Sequence, residues 1–356
     1  NTFFQDKALS ALLNSTSQVM FQKNRITGLL FLAGIFSGSY ICDTPTVAWG
    51  AVVGLVVSVI AGYFSDHDRQ SGCDGLWGFN GILVGCALPT FLANTWQMWL
   101  LLIFGAAIST WGRSGLNKLL ASINLNSLTF PFVATTWILL LASSILGLEA
   151  PIATPESTVS DTSIISLATY WLKGISQVFL INSWVTGLLF LIGLAIARPL
   201  AAVWAAIASA ISLIMAYIFN ADPSFIANGL FGFNPVLTAI AIGCTFYKPS
   251  LKTTILTLLA IIATYFIHIA MQSLLTTLPT LTAPFCLTTW LTLLIPQKLD
   301  CALKNYAFSI ERIMHYAFSI RIIMHYAFSI RIIMHYAFSI ISGEIYCHLV
   351  KNLTYW

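Results

Sequence analysis

The side chains that could do chemistry in this sequence are few, and they come in pairs. The phrase LWGFNGILVG, Leu76 to Gly85, returns as LFGFNPVLTA, Leu230 to Ala239, so Phe79 and Phe233 each precede an Asn and stand four residues before Leu83 and Leu237. Gln18 is matched by Gln177, and Thr129 by Thr282, each Thr two residues before a Pro. Amides, hydroxyls and rings make no bond-breaking machinery. GxSxG and HExxH are absent, and no paired carboxylates fall within the apolar segments, so an intramembrane enzyme is disfavoured. The seven Cys lack CxxC or CxxxH spacing, which suggests neither a disulfide framework nor a zinc site. Asp66, His67 and Asp68 make a polar loop without further metal ligands, and His268, alone in an apolar stretch, is expected to be a hydrogen-bonded packing residue. No metal and no cofactor are expected. Rings can cover the faces of a small planar neutral molecule while carbonyl and hydroxyl oxygens accept from its N–H edges. Asn80 and Asn234 suit backbone caps better than solute ligands. Thr129 and Thr282 could cap a following helix while also lining a path.

The elements that must position these groups are set by composition. Of 356 residues, 58% are hydrophobic and 8% charged, where a soluble domain carries about 25% charged residues. Pro45 to Phe64, Thr95 to Trp111 and Thr253 to Gln272 contain no Lys, Arg, Asp or Glu and approach or reach the ~20 apolar residues that cross a bilayer. The first 25 residues lack a central apolar run, so no cleavable signal peptide is expected. The formal net charge of +4 is modest and spread along the loops, implying no nucleic-acid partner. The chain reads as an all-α polytopic membrane protein.

Three blocks recur in the same order, which points to a duplication. Ser17-Gln18-Val19 and Thr27 to Leu32 return 159 residues later as Ser176-Gln177-Val178 and Thr186 to Leu191; the Gly-Phe-Asn phrase recurs with a shift of 154; Thr129-Phe-Pro-Phe and Thr135-Thr-Trp recur at Thr282 and Thr288 with a shift of 153. The expected boundaries are residues 1–150 for the first half, 151–167 for a polar external linker, 168–297 for the second half and 298–356 for a tail. Five apolar segments fall in each half, near 26–41, 45–64, 76–93, 95–113 and 129–148, then 184–197, 200–219, 230–247, 253–275 and 284–296. An odd number inverts the second half relative to the first. With both termini in the cytoplasm, Lys7, Lys23, Arg25, Arg69, Arg113, Lys118, Arg198, Lys248, Lys252 and Lys298 fall on the cytoplasmic side and Lys173 outside, in keeping with the positive-inside rule. Gly before Phe-Asn, and Pro235 after Asn234, suit an interrupted or half-spanning helix. Such breaks in an inverted pair meet near the pseudo-two-fold axis, where a central pore is expected.

Ionisable groups are nearly missing from all ten segments, whereas coupled carriers depend on them. A passive route for a neutral solute follows. Gln-Val at the start of each half, Leu-x-Gly-Phe-Asn-x-x-Leu in the middle and Thr-x-Pro-Phe near the end resemble the urea transporter family over roughly residues 8–297. The resemblance implies a channel-like homotrimer in the cell membrane, a bacterial inner membrane, with urea as the solute and one pore per subunit. Each half would supply five spans and a tilted half-spanning helix. It also implies that Gln18 and Phe21 with Phe79 and Leu83 form the cytoplasmic half of a slot, that Gln177 and Val178 with Phe233 and Leu237 form the external half, and that Thr129 and Thr282 sit at the centre. Leu180 stands where the first half has Phe21, and some bacterial relatives place a Glu where Gln177 stands. The alternative is a channel for water, ammonia or a short amide.

The tail repeats a decamer beginning at Tyr306, Tyr316, Tyr326 and Tyr336. Ten residues leave a helix about 80° short of whole turns, so the repeat builds no single apolar face. The tail is expected to be dispensable, and His315, His325 and His335 are not expected to bind metal.

Overall fold

The computed structural model describes residues 2–65, 69–148, 150 and 161–295. The loop Asp66 to Asp68, most of the expected linker, and the tail with its decamers and three His all lie outside the described residues. Residues 1–295 form one compact unit. Among the described residues there are fourteen α-helices and no strand, seven in each half.

The first seven are α1 (Thr2–Gln18), α2 (Arg25–Ile41), α3 (Pro45–Ser65), α4 (Arg69–Cys73), α5 (Phe79–Phe91), α6 (Trp96–Leu120) and α7 (Phe130–Ile145). The second seven follow in the same order: α8 (Ile164–Ser176), α9 (Trp184–Ala197), α10 (Pro199–Ile218), α11 (Pro223–Ala227), α12 (Phe233–Ile240), α13 (Leu251–Leu274) and α14 (Ala283–Leu294). Local chemistry sets the starts. Asn24 accepts from the N–H groups of Ile26 and Thr27 to open α2, Ser250 accepts from Thr253 to open α13, and Pro199 and Pro223 occupy first-turn positions whose N–H would have no partner. Asp222 caps α11 by accepting from Ser224 N and Oγ at 2.8 and 2.7 Å. Those bonds, the hydroxyl's first, hold its carboxyl below the usual range.

The packing pairs recur as well. α1 on α2 is answered by α8 on α9, α3 on α5 by α10 on α12, α5 on α6 by α12 on α13, and α6 on α7 by α13 on α14. The two halves meet most extensively through α2 and α9, where Thr27 Oγ1 donates to Gly193 O and Thr186 Oγ1 donates to Gly34 O, both at 2.7 Å.

Three helices, α3, α10 and α13, are each long and apolar enough to cross a bilayer alone, while α8 and α9 run together through a 75° bend. The apolar helices α2, α5, α7, α12 and α14 are shorter. At 1.5 Å per residue a 12- or 13-residue helix rises about 20 Å, less than the ~30 Å hydrocarbon layer. The ten apolar segments are therefore not ten full-length spans. Those at 76–93 and 230–247 begin as turns, with the helices starting at Phe79 and Phe233. Pro235 lies in the first turn of α12, where its missing N–H costs no helical bond. Four helices escaped the segment count: the five-residue α4 and α11, and the longer α1 and α8, which deliver the paired Gln.

Candidate functional site

The two Gln are placed by one turn used twice. α1 ends at Gln18, and Phe21 is reached with φ +61°; α8 runs through a short 3₁₀ turn, Gln177–Phe179, and Leu180 follows with φ +59°. A left-handed conformation is uncommon at such residues, and the turn is closed from inside: Ser17 Oγ donates to Gln22 O at 2.7 Å and Ser176 Oγ to Ile181 O at 2.6 Å. Gln18 Nε2 donates to Asp74 O at 2.9 Å, and Gln177 Nε2 to Asn228 O at 2.8 Å. Gly75 and Gly229 follow those carbonyls at φ +86° and +69°, and a Cβ there would lie 2.3 Å from Asn14 C or 2.6 Å from Gly174 N. Glycine lets the carbonyl-bearing strand of chain press against the Gln helix. With one N–H of each amide engaged, its carbonyl oxygen is left as an open acceptor.

The repeated Gly-Phe-Asn phrase divides its labour. Asn80 Oδ1 accepts from Phe132 N at 3.1 Å, and Asn234 Oδ1 accepts from Phe285 N at 3.2 Å. Their Nδ2 atoms donate to Leu128 O at 3.5 Å and Leu281 O at 2.9 Å. Each Asn thus caps the short helix after next and clamps the left-handed Leu before it, φ +53° at Leu128 and +49° at Leu281. The cap reading of the two Asn holds. Because they take the capping duty, the Thr129 and Thr282 hydroxyls make no cap bond to α7 and α14. They meet each other instead, Oγ1 to Oγ1 at 2.6 Å, with Cys286 Sγ 3.5 Å from Thr129 Oγ1. The N-termini of α7 and α14, each with a partial positive charge, therefore converge on one hydroxyl pair.

Two cavities flank that pair. The first, of about 370 Å³, is lined by Gln18, Phe21, Phe79, Arg113, Asn117 and Thr129 among others. The second, of about 410 Å³, is lined by Gln177, Val178, Leu180, Phe233, His268 and Thr282 among others. Each borrows an aromatic side chain from the other half: Phe246 in the first, Phe91 and Phe132 in the second. Phe21 stands edge-on to Phe246 and Phe285 at 5.6 and 5.9 Å between ring centres. Trp137 Nε1 donates across to Pro279 O at 2.7 Å, and Trp290 Nε1 donates back to Asn126 O at 2.8 Å, fixing the loops that carry Thr282 and Thr129.

Eight of the ten residues singled out in the sequence therefore wall one cavity or the other. Leu83 and Leu237 do not: both are fully buried in the apolar core, because four residues on from Phe79 and Phe233 the short helix has turned into its packing interface. Phe79 and Phe233 themselves are half-buried. His268 packs edge-on to Phe233 at 5.3 Å, but its Nδ1 is buried with no hydrogen-bond partner, which corrects the expectation of a hydrogen-bonded packing residue. Sequence reasoning missed Arg113 and Asn117 on α6, and Gln272 on α13, as cavity residues. The available signal was register: Arg113 and His268, like Asn117 and Gln272, stand 155 residues apart, close to the shift of the flanking blocks, but differ in type. Among the described residues no group of three or more His, Cys, Asp or Glu could hold a metal ion.

A family model described as urea transporter matches residues 9–297. The chain is similar to urea transporter 1 of Ovis aries, 31% identical over 300 residues that cover 81% of this chain and 77% of the relative. It is also similar to urea transporter 1 of Rattus norvegicus, 31% identical over 296 residues covering 80% and 76%.

Proposed function

The chain belongs to the urea transporter family, a family of multi-pass membrane transporters, and from that premise we propose that it conducts urea passively and uncoupled, through the two cavities and past the Thr129–Thr282 pair. The observation that carries the reading is the twinned geometry around this pair: an amide oxygen and aromatic walls on each side of one shared hydroxyl contact. Urea is planar and neutral. Phe79 and Phe233 offer flat surface, and Gln18 and Gln177, each oriented by one N–H tied to the carbonyl of Asp74 or Asn228, offer oxygens to solute N–H. At the centre the solute exchanges its bonds with the two hydroxyls, replacing water stepwise without a full desolvation penalty. Leu83 and Leu237 back the slot from the core rather than face it.

The halves 1–150 and 168–297 are oppositely oriented in this reading, and the cross-supplied aromatic rings support that arrangement. Both termini lie in the cytoplasm of a bacterial inner membrane, the Gln18 cavity opens inward, and three subunits assemble with one pore each. The lack of acidic groups supports passive conduction: among the described residues no carboxylate side chain lines either cavity, and Arg113 in the first is the one charged side chain in the two linings. Stopped-flow entry of urea into proteoliposomes is expected to be fast and indifferent to proton or sodium gradients. Equal urea permeability with and without protein rejects the proposal; strict gradient dependence replaces it with coupled transport; and water or ammonia flux without urea flux assigns the slot to another small solute.

A further inference from the structure

The groups assigned to urea so far all accept hydrogen bonds from its N–H edges, yet urea also carries a carbonyl oxygen that loses water on entry. A buried acceptor left without a donor costs about 1–3 kcal/mol. In the second cavity the named groups have few donors to offer it. Gln177 commits one of its two amide N–H groups to Asn228 O, and the Thr129–Thr282 pair uses one hydroxyl proton between its two oxygens, with Cys286 Sγ in reach of Thr129 Oγ1.

α13 supplies what is missing. His268 lines this cavity with only 4% of its surface exposed, and Gln272, one helical turn further along, lines it from a half-buried position. Neither side chain makes a hydrogen bond within the described residues, where most buried polar groups find a partner. Of the two ring nitrogens only Nδ1 is both buried and unpartnered, so the ring meets the cavity along its Nε2 edge. That fixes the tautomer. A proton on Nδ1 would bury an N–H with nothing to receive it, whereas a proton on Nε2 leaves only a lone pair unsatisfied. Phe233 at 5.3 Å and Phe231 at 6.2 Å hold the ring in place. The same face of α6 carries Arg113 and Asn117 into the first cavity, again a pair of N–H-bearing side chains four residues apart.

Resting on the transport reading above, we infer that His268 and Gln272 form a donor station that holds the carbonyl oxygen of the solute while Gln177 accepts from its N–H edge. This pair sets selectivity for carbonyl over thiocarbonyl solutes. Sulfur in a C=S group accepts hydrogen bonds more weakly than a carbonyl oxygen, so the station discriminates urea from thiourea.

The test compares half-saturation for urea and for thiourea in proteoliposomes. His268→Phe keeps a ring against Phe233 and removes the donor. It is expected to weaken urea about fivefold, the equivalent of ~1 kcal/mol, to change thiourea much less, and so to narrow the ratio between the two. His268→Gln, whose amide nitrogen reaches close to the Nε2 position, is expected to restore the ratio to within about twofold. Gln272→Leu, at a half-buried position, carries the same ratio test should the Phe variant fail to fold. An unchanged ratio in the Phe and Leu variants, or a Gln variant as impaired as Phe, overturns the inference while leaving urea conduction standing. Absence of urea flux through the unmodified protein overturns the transport reading and this inference with it.

Discussion

The two cavities are one scaffold fitted out twice, and the differences between them separate what builds the path from what faces it. Residues that fix backbone are the same on both sides: Asn80 and Asn234 as caps, Gly75 and Gly229 at positive φ, Ser17 and Ser176 closing the turn, Gln18 and Gln177 tied to a carbonyl. The differences fall on the cavity walls, at Phe21 against Leu180, Arg113 against His268 and Asn117 against Gln272, while Phe79 and Phe233, like Thr129 and Thr282, stay the same. A backbone bond inside a low-dielectric protein admits few substitutes, because an orphaned N–H or C=O has no water to turn to. A cavity wall has more freedom, since solute or water can satisfy whatever the side chain leaves open.

Exchanges at matched positions sharpen this contrast. The largest effect is expected at the caps. Asn234→Ala strips partners from Phe285 N and Leu281 O, and Asn80→Ala does the same to Phe132 N and Leu128 O, at roughly 1–3 kcal/mol for each orphaned group. Thermal unfolding in detergent should show Asn234→Ala as the more damaging, because its second bond is 2.9 Å where that of Asn80 is 3.5 Å. Equal tolerance of both would mean that the caps do not hold the central loops. A smaller effect is expected on the walls. Phe21→Leu loses two edge-on ring contacts, each worth about 0.5–1.5 kcal/mol, whereas Leu180→Phe should be nearly neutral because its side chain borders open volume. A reversed order in melting temperatures would break the distinction between wall and scaffold. The smallest effect belongs to Lys23, whose ammonium lies 2.6 Å from Asp74 Oδ1 with 53% of the side chain exposed. Lys23→Met should cost less than about 1 kcal/mol, and less still in high salt; a larger loss would give the ion pair a part in anchoring Gln18 through Asp74.

The same contrast explains how far the sequence could be read. The Gln, Phe-Asn and Thr pairs surfaced because they are identical in the two halves, and those identities mark backbone duties as much as cavity walls. Asn80 was legible as a cap from its residue type. Leu83 and Leu237 surfaced on the same ground: identity between halves signals a shared constraint, and packing in the buried core is one that both meet. His268 and Arg113 share a register but not a residue type, so a comparison of letters passes over them. α1 and α8 were missed because polar residues interrupt their apolar ones, Ile164 to Ser176 interleaving Ser, Thr and Lys with Ile, Leu and Trp, and only their packing on α2 and α9 reveals them as structural partners.

Trp137 and Trp290 carry a consequence for how such a chain could have arisen. Each indole ties down a loop belonging to the opposite half, so a polypeptide of half this length would leave both loops untethered unless a second copy supplied the missing ring. An ancestor of that size would have needed to associate as a dimer of identical chains before any fusion joined them. A single chain needs no such symmetry, and Leu180 and His268 stand where the first half carries Phe21 and Arg113.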